Sequence, residues 1–591
     1  MSTPLTAYPR HLSRVTGDAG ARLFALLEKW GMNEPAILTA LAVGVGILAG
    51  LSVLLFYKAI DIAANIIAQV ATVLEIPTPI VAAVSLGIGL IVVRLLVHYG
   101  NHDSDGENIP DAMHAVARRG GVLNLRPVAI KTLAAAVTLG SGGSLGAEGP
   151  VAVLGAAVGS RAGRWLRFRK DRVRLLLSCG AAAGLSAAFG APIAGVLFVL
   201  EKLVGSFRAS VLTPIVVASV SAAAVSRVGL GRDQVIRIPT EYHVGGARDL
   251  VLYAGVGLLG GFIGVLYARA AWKVPDWLRP LPQWLRMMVA AVLVAVVASQ
   301  FSPSLWGRGH QGLDLGLIAD RTAWLLFALC LAKIAATALT LGGGGVGGVF
   351  TPALVVGGTF GAAAGVALTH LVPGWGLQPV AFALVGMAAV VAAATHAPLT
   401  AVFMVLEMSG DYGLILPVLL GGALAYIVAK PLYKESIYTE WLARRGEHIS
   451  HGTDESVLAA LTVADAYRAD PLVLPATATL GEVLAEVRQS GQLEFPVVDV
   501  TNAVVGMLTW EDLKRALADG TRDALVSELA DPPRDGVTLN DDLRTALRCL
   551  RERDAHLLPV LDATPPHHLR GVIGRSEIFA AYEGAVAADE D

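Results

Sequence analysis

Charge is scarce in this sequence. Only 16% of its 591 residues are Asp, Glu, Lys or Arg, and the mean hydropathy is +0.60. Soluble domains carry about 25% charged residues, so a wholly soluble chain is excluded. Cysteine is scarce as well. Cys179, Cys330 and Cys549 lie far apart with no metal-ligand spacing, which excludes a disulfide framework and a structural zinc site. Glycine, by contrast, is plentiful. The 65 glycines have no collagen period and lie inside apolar stretches, as they do where helices pack closely in a bilayer.

The little charge there is lies unevenly. Residues 447–591 hold 26 acidic and 12 basic side chains, and the first 446 hold 22 and 34. A charge-poor, net basic membrane domain is therefore followed by a charge-rich, acidic soluble domain. Arg10, Arg14, Arg22 and Lys29 precede the first apolar run, without the short apolar core and small-residue cleavage site of a signal peptide. By the positive-inside rule this end is cytoplasmic. Long apolar stretches follow, beginning with Ala36–Val70 and Ile80–His98. Between them lie pieces such as Pro150–Arg164 and Ala191–Val204, too short for a span of about 20 residues. Broken spans are tolerated only where protein or a water-filled cavity surrounds the freed backbone, which is a transporter's pattern.

An internal repeat supports that pattern. GGSLGAEGPVAVLGAAVG from Gly142 aligns with GGVGGVFTPALVVGGTFG from Gly344, and APIAGVLFVLE from Ala191 with APLTAVFMVLE from Ala397. Two halves with broken helices at corresponding places point to a binding site at the membrane midplane. The tail holds a second, weaker repeat: Phe495-Pro-Val-Val-Asp499 before Val505-Gly-Met-Leu-Thr509, and Leu558-Pro-Val-Leu-Asp562 before Gly571-Val-Ile-Gly574. Helical stretches flank each pair, which reads as two β-α-β-β-α units packed on each other.

Gly142–Glu148 and Gly345–Phe350 each open a helix with proline in its first turn. Such turns present free N–H groups at the positive end of the helix dipole and suit an anion. Neither has the phosphate-loop pattern. Glu148 is an ionisable residue at such a helix start, where its carboxylate can compete with an anion for the same donors, or simply cap the helix. Its repeat counterpart is Phe350, so this charge occurs in one half only.

These residues carry a resemblance. Gly146-Ala-Glu-Gly-Pro150, Gly348-Val-Phe-Thr-Pro352, Pro431-Leu-Tyr433 and the stretch from Thr395-His-Ala-Pro to Val405-Leu-Glu-Met408 resemble, in order, signatures of the CLC chloride channel and chloride/proton antiporter family. The tail resembles paired CBS domains. The resemblance implies an inverted-repeat helical membrane domain that forms a homodimer with one pore per subunit. It makes Glu148 the external gate. It assigns the anion to Gly146, Gly348, the amides of Val349 and Phe350, the hydroxyl of Tyr433, the segment Glu107, Asn108 and Ile109, and the positive potential of Lys131. The division expected is an N-terminal segment 1–35, a membrane domain 36–445 (halves about 36–228 and 250–440), a linker 446–461, CBS units 462–524 and 525–585, and an acidic end 586–591.

Two departures bear on function. The family's G-S-G-I-P reads Gly106-Glu-Asn-Ile-Pro110 here, so a donor serine is replaced by Glu107. Its side chain turns to water, or its amide replaces the lost hydroxyl, or it forms an inner pH-dependent gate. At Lys202, family antiporters often carry a glutamate as the internal proton station, after a carboxylate matching Glu201. Desolvation disfavours a charged ammonium, so a buried lysine can shuttle protons near neutral pH. The alternative is a lysine snorkelling to the cytoplasmic edge. In the tail, Thr509-Trp-Glu-Asp512 resembles the ribose-contacting motif of nucleotide-binding CBS pairs, and Gly574-Arg-Ser-Glu577 a degenerate copy.

The function expected is chloride transport across the inner membrane, gated by protons at Glu148 and coupled to them by exchange, with both termini cytoplasmic and a regulatory CBS pair. A passive channel, or transport of fluoride or nitrate, stands as the alternative. Chloride, protons and lipid are the expected partners, with no nucleic acid. No cofactor or metal is required, and an adenine nucleotide (ATP, ADP or AMP) at Thr509 and Asp512 is the one ligand expected in the tail. A CBS-bearing divalent-cation channel would need carboxylates in both halves. An enzyme would need a nucleophile–base or metal-ligand cluster, and the sequence offers none.

Overall fold

The computed structural model describes residues 34–73, 78–100, 108–231 except 206 and 208, 236, 247–301, 321–446, 458 and 461–590 except 533–535, 554 and 563–567. The basic N-terminal segment, Glu107 and most of the 446–461 linker lie outside the described residues. The chain divides into two compact units, Met1–Ile449 and Ser450–Asp591.

The first half of the membrane unit runs α1 (Glu34–Val73), α2 (Thr78–Gly100), α3 (Asn108–Arg118), α4 (Leu125–Gly140), α5 (Glu148–Trp165), α6 (Lys170–Phe189), α7 (Pro192–Val199) and α8 (Ala209–Leu230). The second runs α9 (Ala247–Leu278), α10 (Gln283–Phe301), α11 (Ala323–Gly342), α12 (Phe350–Leu371), α13 (Pro379–Thr395), α14 (Pro398–Ser409) and α15 (Ile415–Leu432), and a short α16 (Thr439–Ala443) follows. Eight of the described helices are long and apolar enough to cross a membrane. At eight residues α7 is not among them; it continues as one π-helical turn, Leu200–Val204, which carries Lys202.

Glycine lets the central helices touch backbone to backbone. A Cβ at Gly155 of α5 would sit 2.1 Å from the carbonyl oxygen of Gly180 on α6, and one at Gly180 would sit 2.0 Å from that of Gly155. Gly357 of α12 and Gly386 of α13 repeat the arrangement at 2.3 Å each way. With lipid as apolar as the side chains, close van der Waals approach is what holds such helices together.

The two halves contact each other reciprocally. Gly146 N–H donates to the Gly348 carbonyl at 2.8 Å, and Gly348 N–H to that of Gly146 at 2.7 Å, as an antiparallel bridge. Ser144 N–H donates to the Thr340 hydroxyl at 3.2 Å, and Val346 N–H to the Thr138 hydroxyl at 3.2 Å. Further along, the Glu201 carboxylate at the end of α7 accepts from Leu399 N (3.1 Å) and Thr400 N (2.9 Å) at the start of α14. The Glu407 carboxylate near the end of α14 accepts from Ile193 N (2.9 Å) and Ala194 N (2.8 Å) at the start of α7. Contacts repeated with the roles exchanged require a two-fold axis between the halves. The paired segments run antiparallel, so the repeat is inverted. The carboxylates also supply partners for helix N–H groups that a broken helix leaves unbonded in a low-dielectric interior.

Among its described residues the tail forms two three-stranded sheets. In the first, β1 (Leu474–Pro475) runs parallel to β2 (Glu494–Val498), which pairs antiparallel with β3 (Val504–Thr509). The second repeats this with β4 (Val537–Thr538), β5 (Leu557–Leu561) and β6 (Leu569–Gly574). Helices α17 (Leu480–Ser490) and α18 (Trp510–Ala518) belong to the first, with α19 (Val526–Leu529) leading on to α20 (Leu543–Glu552) and α21 (Arg575–Glu590) of the second. This is the β-α-β-β-α order expected, built around separate cores at Phe495 and Leu508 and at Leu558 and Ile573.

Candidate functional site

The site forms where the two glycine-rich turns meet. Gly142 and Gly344 turn the chain at φ +99° and +89°, angles that side chains rarely adopt. The turns bring the N-termini of α5 and α12 together at Glu148 and Phe350. Glu148 is fully buried. Its carboxylate crosses to the other half, where it accepts from Phe350 N–H and from the Thr351 hydroxyl at 2.9 Å. A Cβ on Gly146 or Gly348 would fall 2.0 or 2.2 Å from that carboxylate, so glycine is needed there to make room for it. One half's acid thus occupies the anion-binding end of the other half's helix.

A cavity of about 350 Å³ lies beside the two turns, lined by Ile109, Lys131, Gly348, Val349 and Tyr438, among others. Tyr438 is buried, edge-on to Phe198 at 6.0 Å, and its hydroxyl has no hydrogen-bond partner among the described residues. It lies within electrostatic reach of Glu148. Tyr433 is not at the cavity, which corrects its expected place as the pathway tyrosine. The reason is the path of the backbone. Tyr433 N–H closes the end of α15 on the Ala429 carbonyl, and its ring packs on the cluster of Val265, Ala389 and Ala425. The chain then turns until Ile437 N–H meets the Ala394 carbonyl, and that brings Tyr438 inward.

Lys131 lines the cavity but is paired with Asp111 of α3 at 3.7 Å, so part of its charge is answered. Lys333 on α11, fully buried and within reach of the Glu148 charge, was not expected. A signal was present: it stands 202 positions after Lys131, at the offset of the glycine-rich repeat. Glu107 and the side chain of Asn108 lie outside the described residues. Lys202 is 4% exposed and so is buried rather than at the surface.

In the tail, Thr509 and Asp512 engage each other as a capping box at the start of α18. Asp512 N–H donates to the Thr509 hydroxyl at 3.1 Å, and Thr509 N–H to the Asp512 carboxylate at 3.2 Å. In the second unit Gly574 N–H donates to Glu577 at 3.1 Å, with Ser576 the hydroxyl donor at 2.9 Å.

Comparison with known proteins follows the same lines. A family model described as voltage gated chloride channel matches residues 88–430. The chain belongs to the CLC family. A CBS domain model matches residues 463–519. The chain is 35% identical over 367 residues to a putative chloride channel protein ClcB-like of Ralstonia nicotianae, covering 60% of this chain and 84% of that one. It is 33% identical over 368 residues to an H(+)/Cl(-) exchange transporter ClcA of Vibrio parahaemolyticus, covering 59% and 76%. Among solved structures, a slow cyanobacterial Cl-/H+ antiporter superposes with a TM-score of 0.63 at 27% identity, over 70% of this chain and 98% of the other. A eukaryotic CLC transporter shares the fold over 91% of this chain at 20% identity and a TM-score of 0.59. The protein is therefore an integral membrane protein with the CLC fold and a CBS-bearing tail.

Proposed function

We propose that this CLC protein carries chloride across the membrane in exchange for protons, and that Glu148 serves both ions. The observation that carries the reading is the Glu148 carboxylate held on the N-terminus of α12. While ionised, the carboxylate fills the donors that an anion would use. Protonation removes its charge and the attraction of the helix end, so the side chain leaves and chloride takes the amides of Val349 and Phe350 and the Tyr438 hydroxyl. Lys131 and Lys333 add positive potential. Backbone dipoles hold the halide without a fixed full charge at contact distance, which permits the quick release that transport needs. Lys202 is the inner proton station. The protein works as a homodimer in the inner membrane with both ends in the cytoplasm, and its CBS pair binds an adenine nucleotide through Thr509 and Asp512.

A second reading is passive conduction of chloride or another small anion, favoured by a lysine at 202 where antiporters of the family often have glutamate. Reconstitution into liposomes decides between them. Under a chloride gradient the wild-type protein is expected to drive protons uphill, while Glu148→Gln still passes chloride but moves no protons and loses its pH dependence. Chloride flux without proton movement in the wild type makes the protein a channel. Wild-type pH dependence in both Glu148→Gln and Glu148→Ala removes Glu148 from the gate.

A further inference from the structure

Tyr267 of α9 is 1% exposed, and its hydroxyl donates to the Val349 carbonyl at 2.6 Å. That carbonyl and the Phe350 N–H are the two ends of one peptide group. The Phe350 N–H is in turn a donor to the Glu148 carboxylate. A hydrogen bond to an amide oxygen draws electron density from the amide nitrogen, so its N–H becomes a stronger donor, and bonds in such a chain reinforce one another. The same bond fixes the tilt of the peptide plane and occupies a carbonyl that would repel an anion.

The hydroxyl occurs in one half only. Aligning Gly44-Val-Gly46 of α1 with Gly255-Val-Gly257 of α9 puts Phe56 opposite Tyr267. Phe56 is also buried, at 4% exposure, so packing at this place asks for a ring and not for its hydroxyl. The oxygen appears in the half whose peptide faces Glu148.

We propose that Tyr267 is a positioning residue that sets the donor strength of the Phe350 N–H, and through it the balance between the Glu148 carboxylate and chloride. This rests on the reading that carboxylate and chloride compete for that N–H. Tyr267 touches neither, and acts through one peptide group.

The test uses full-length protein with Tyr267→Phe, alone and with Glu148→Ala, and 3-fluorotyrosine at position 267 as a stronger donor. Two quantities are read: chloride affinity by calorimetry and the amide proton shift of Phe350. The sequence has two Val-Phe steps, Val349–Phe350 and Val402–Phe403, so carbonyl-labelled valine with nitrogen-labelled phenylalanine isolates those two amides. In the Glu148→Ala background, Tyr267→Phe is expected to weaken chloride binding roughly two- to fivefold. The Phe350 amide proton is expected to move upfield while that of Phe403 stays, and fluorotyrosine moves both readouts the other way. An unmoved Phe350 amide with unchanged affinity overturns the proposal. So does an equal shift of both amides, because that marks a general structural disturbance. If Glu148→Ala itself leaves chloride binding as in the wild type, the underlying competition fails instead, and the Phe350 shift still decides whether Tyr267 governs the amide.

Discussion

A buried hydroxyl without a partner costs free energy unless something completes it; that of Tyr438 has none among the described residues, while that of Tyr433 lies against Glu440. Only Tyr438 faces the cavity beside Val349 and Gly348. Tyr438→Phe should therefore weaken chloride binding by the net worth of one hydrogen bond, about 0.5–1.5 kcal/mol or roughly two- to tenfold. Tyr433→Phe should change it less than about twofold, and calorimetry on the two variants checks the contrast. The motif Pro431-Leu-Tyr433 was legible in sequence, but which of two tyrosines five residues apart turns inward depends on where α15 stops. Lys202 poses a similar question of place. Lys202 lies buried on a π turn, and π turns recur at functional sites. Lys202→Met keeps most of the apolar stem and removes the titratable atom. Chloride flux should persist and proton flux in the same liposomes should vanish; full coupling in this variant would send the protons by another route.

At the scale of elements, α7 and α14 hold each other end to end through Glu201 and Glu407. Removing either carboxylate strands two amide donors at a helix start. Glu407→Ala and Glu201→Ala should each lower stability by about 1–2 kcal/mol, within the usual range for a lost N-cap. The two caps lie at opposite ends of the helix pair, so the double variant should lose nearly the sum. Thermal unfolding in detergent measures all three, and a double variant no worse than either single one would mean the caps act as one unit. The two matched blocks were readable in the sequence at an offset of 206. That each glutamate serves the other block's helix was not, because a two-fold axis relates residues in space and leaves no mark on either block alone. The glycine stripes were more fully legible. Their number and apolar setting already implied backbone contact, and Gly155 with Gly180 and Gly357 with Gly386 supply it.

At the scale of the whole molecule, the shift in charge near residue 447 marks two kinds of folding. The membrane unit is held by close helix contact in an apolar medium. The tail has water-exposed caps whose charge responds to pH. Hydrogen bonds from the Thr462 amide, the Thr479 amide and the Thr501 hydroxyl hold the carboxyls of Asp465, Glu482 and Asp499 below their ordinary values of 3.8, 4.5 and 3.8. A carboxyl depressed in the folded state adds stability above its ordinary value and loses it as pH falls through the depressed one. The tail, expressed from residue 450, should therefore unfold at progressively lower temperature below about pH 4.5 and show little change between pH 6 and 8. A melting temperature flat down to pH 3 would mean these caps contribute nothing measurable. By itself the sequence determined the membrane-plus-soluble division, the repeat, the glycine-rich helix starts and the lone acid at Glu148, since hydropathy, period and backbone freedom are local properties of the chain. Only the tertiary structure decided that the repeat is inverted, that Glu148 caps the opposite half's helix, that Tyr438 lines the cavity and Lys333 is buried within reach of the Glu148 charge, and that Tyr267 grips the peptide between Val349 and Phe350. Each of these joins residues more than eighty positions apart or depends on where a helix ends, and only the packing of the two halves around their common axis brings such groups within reach.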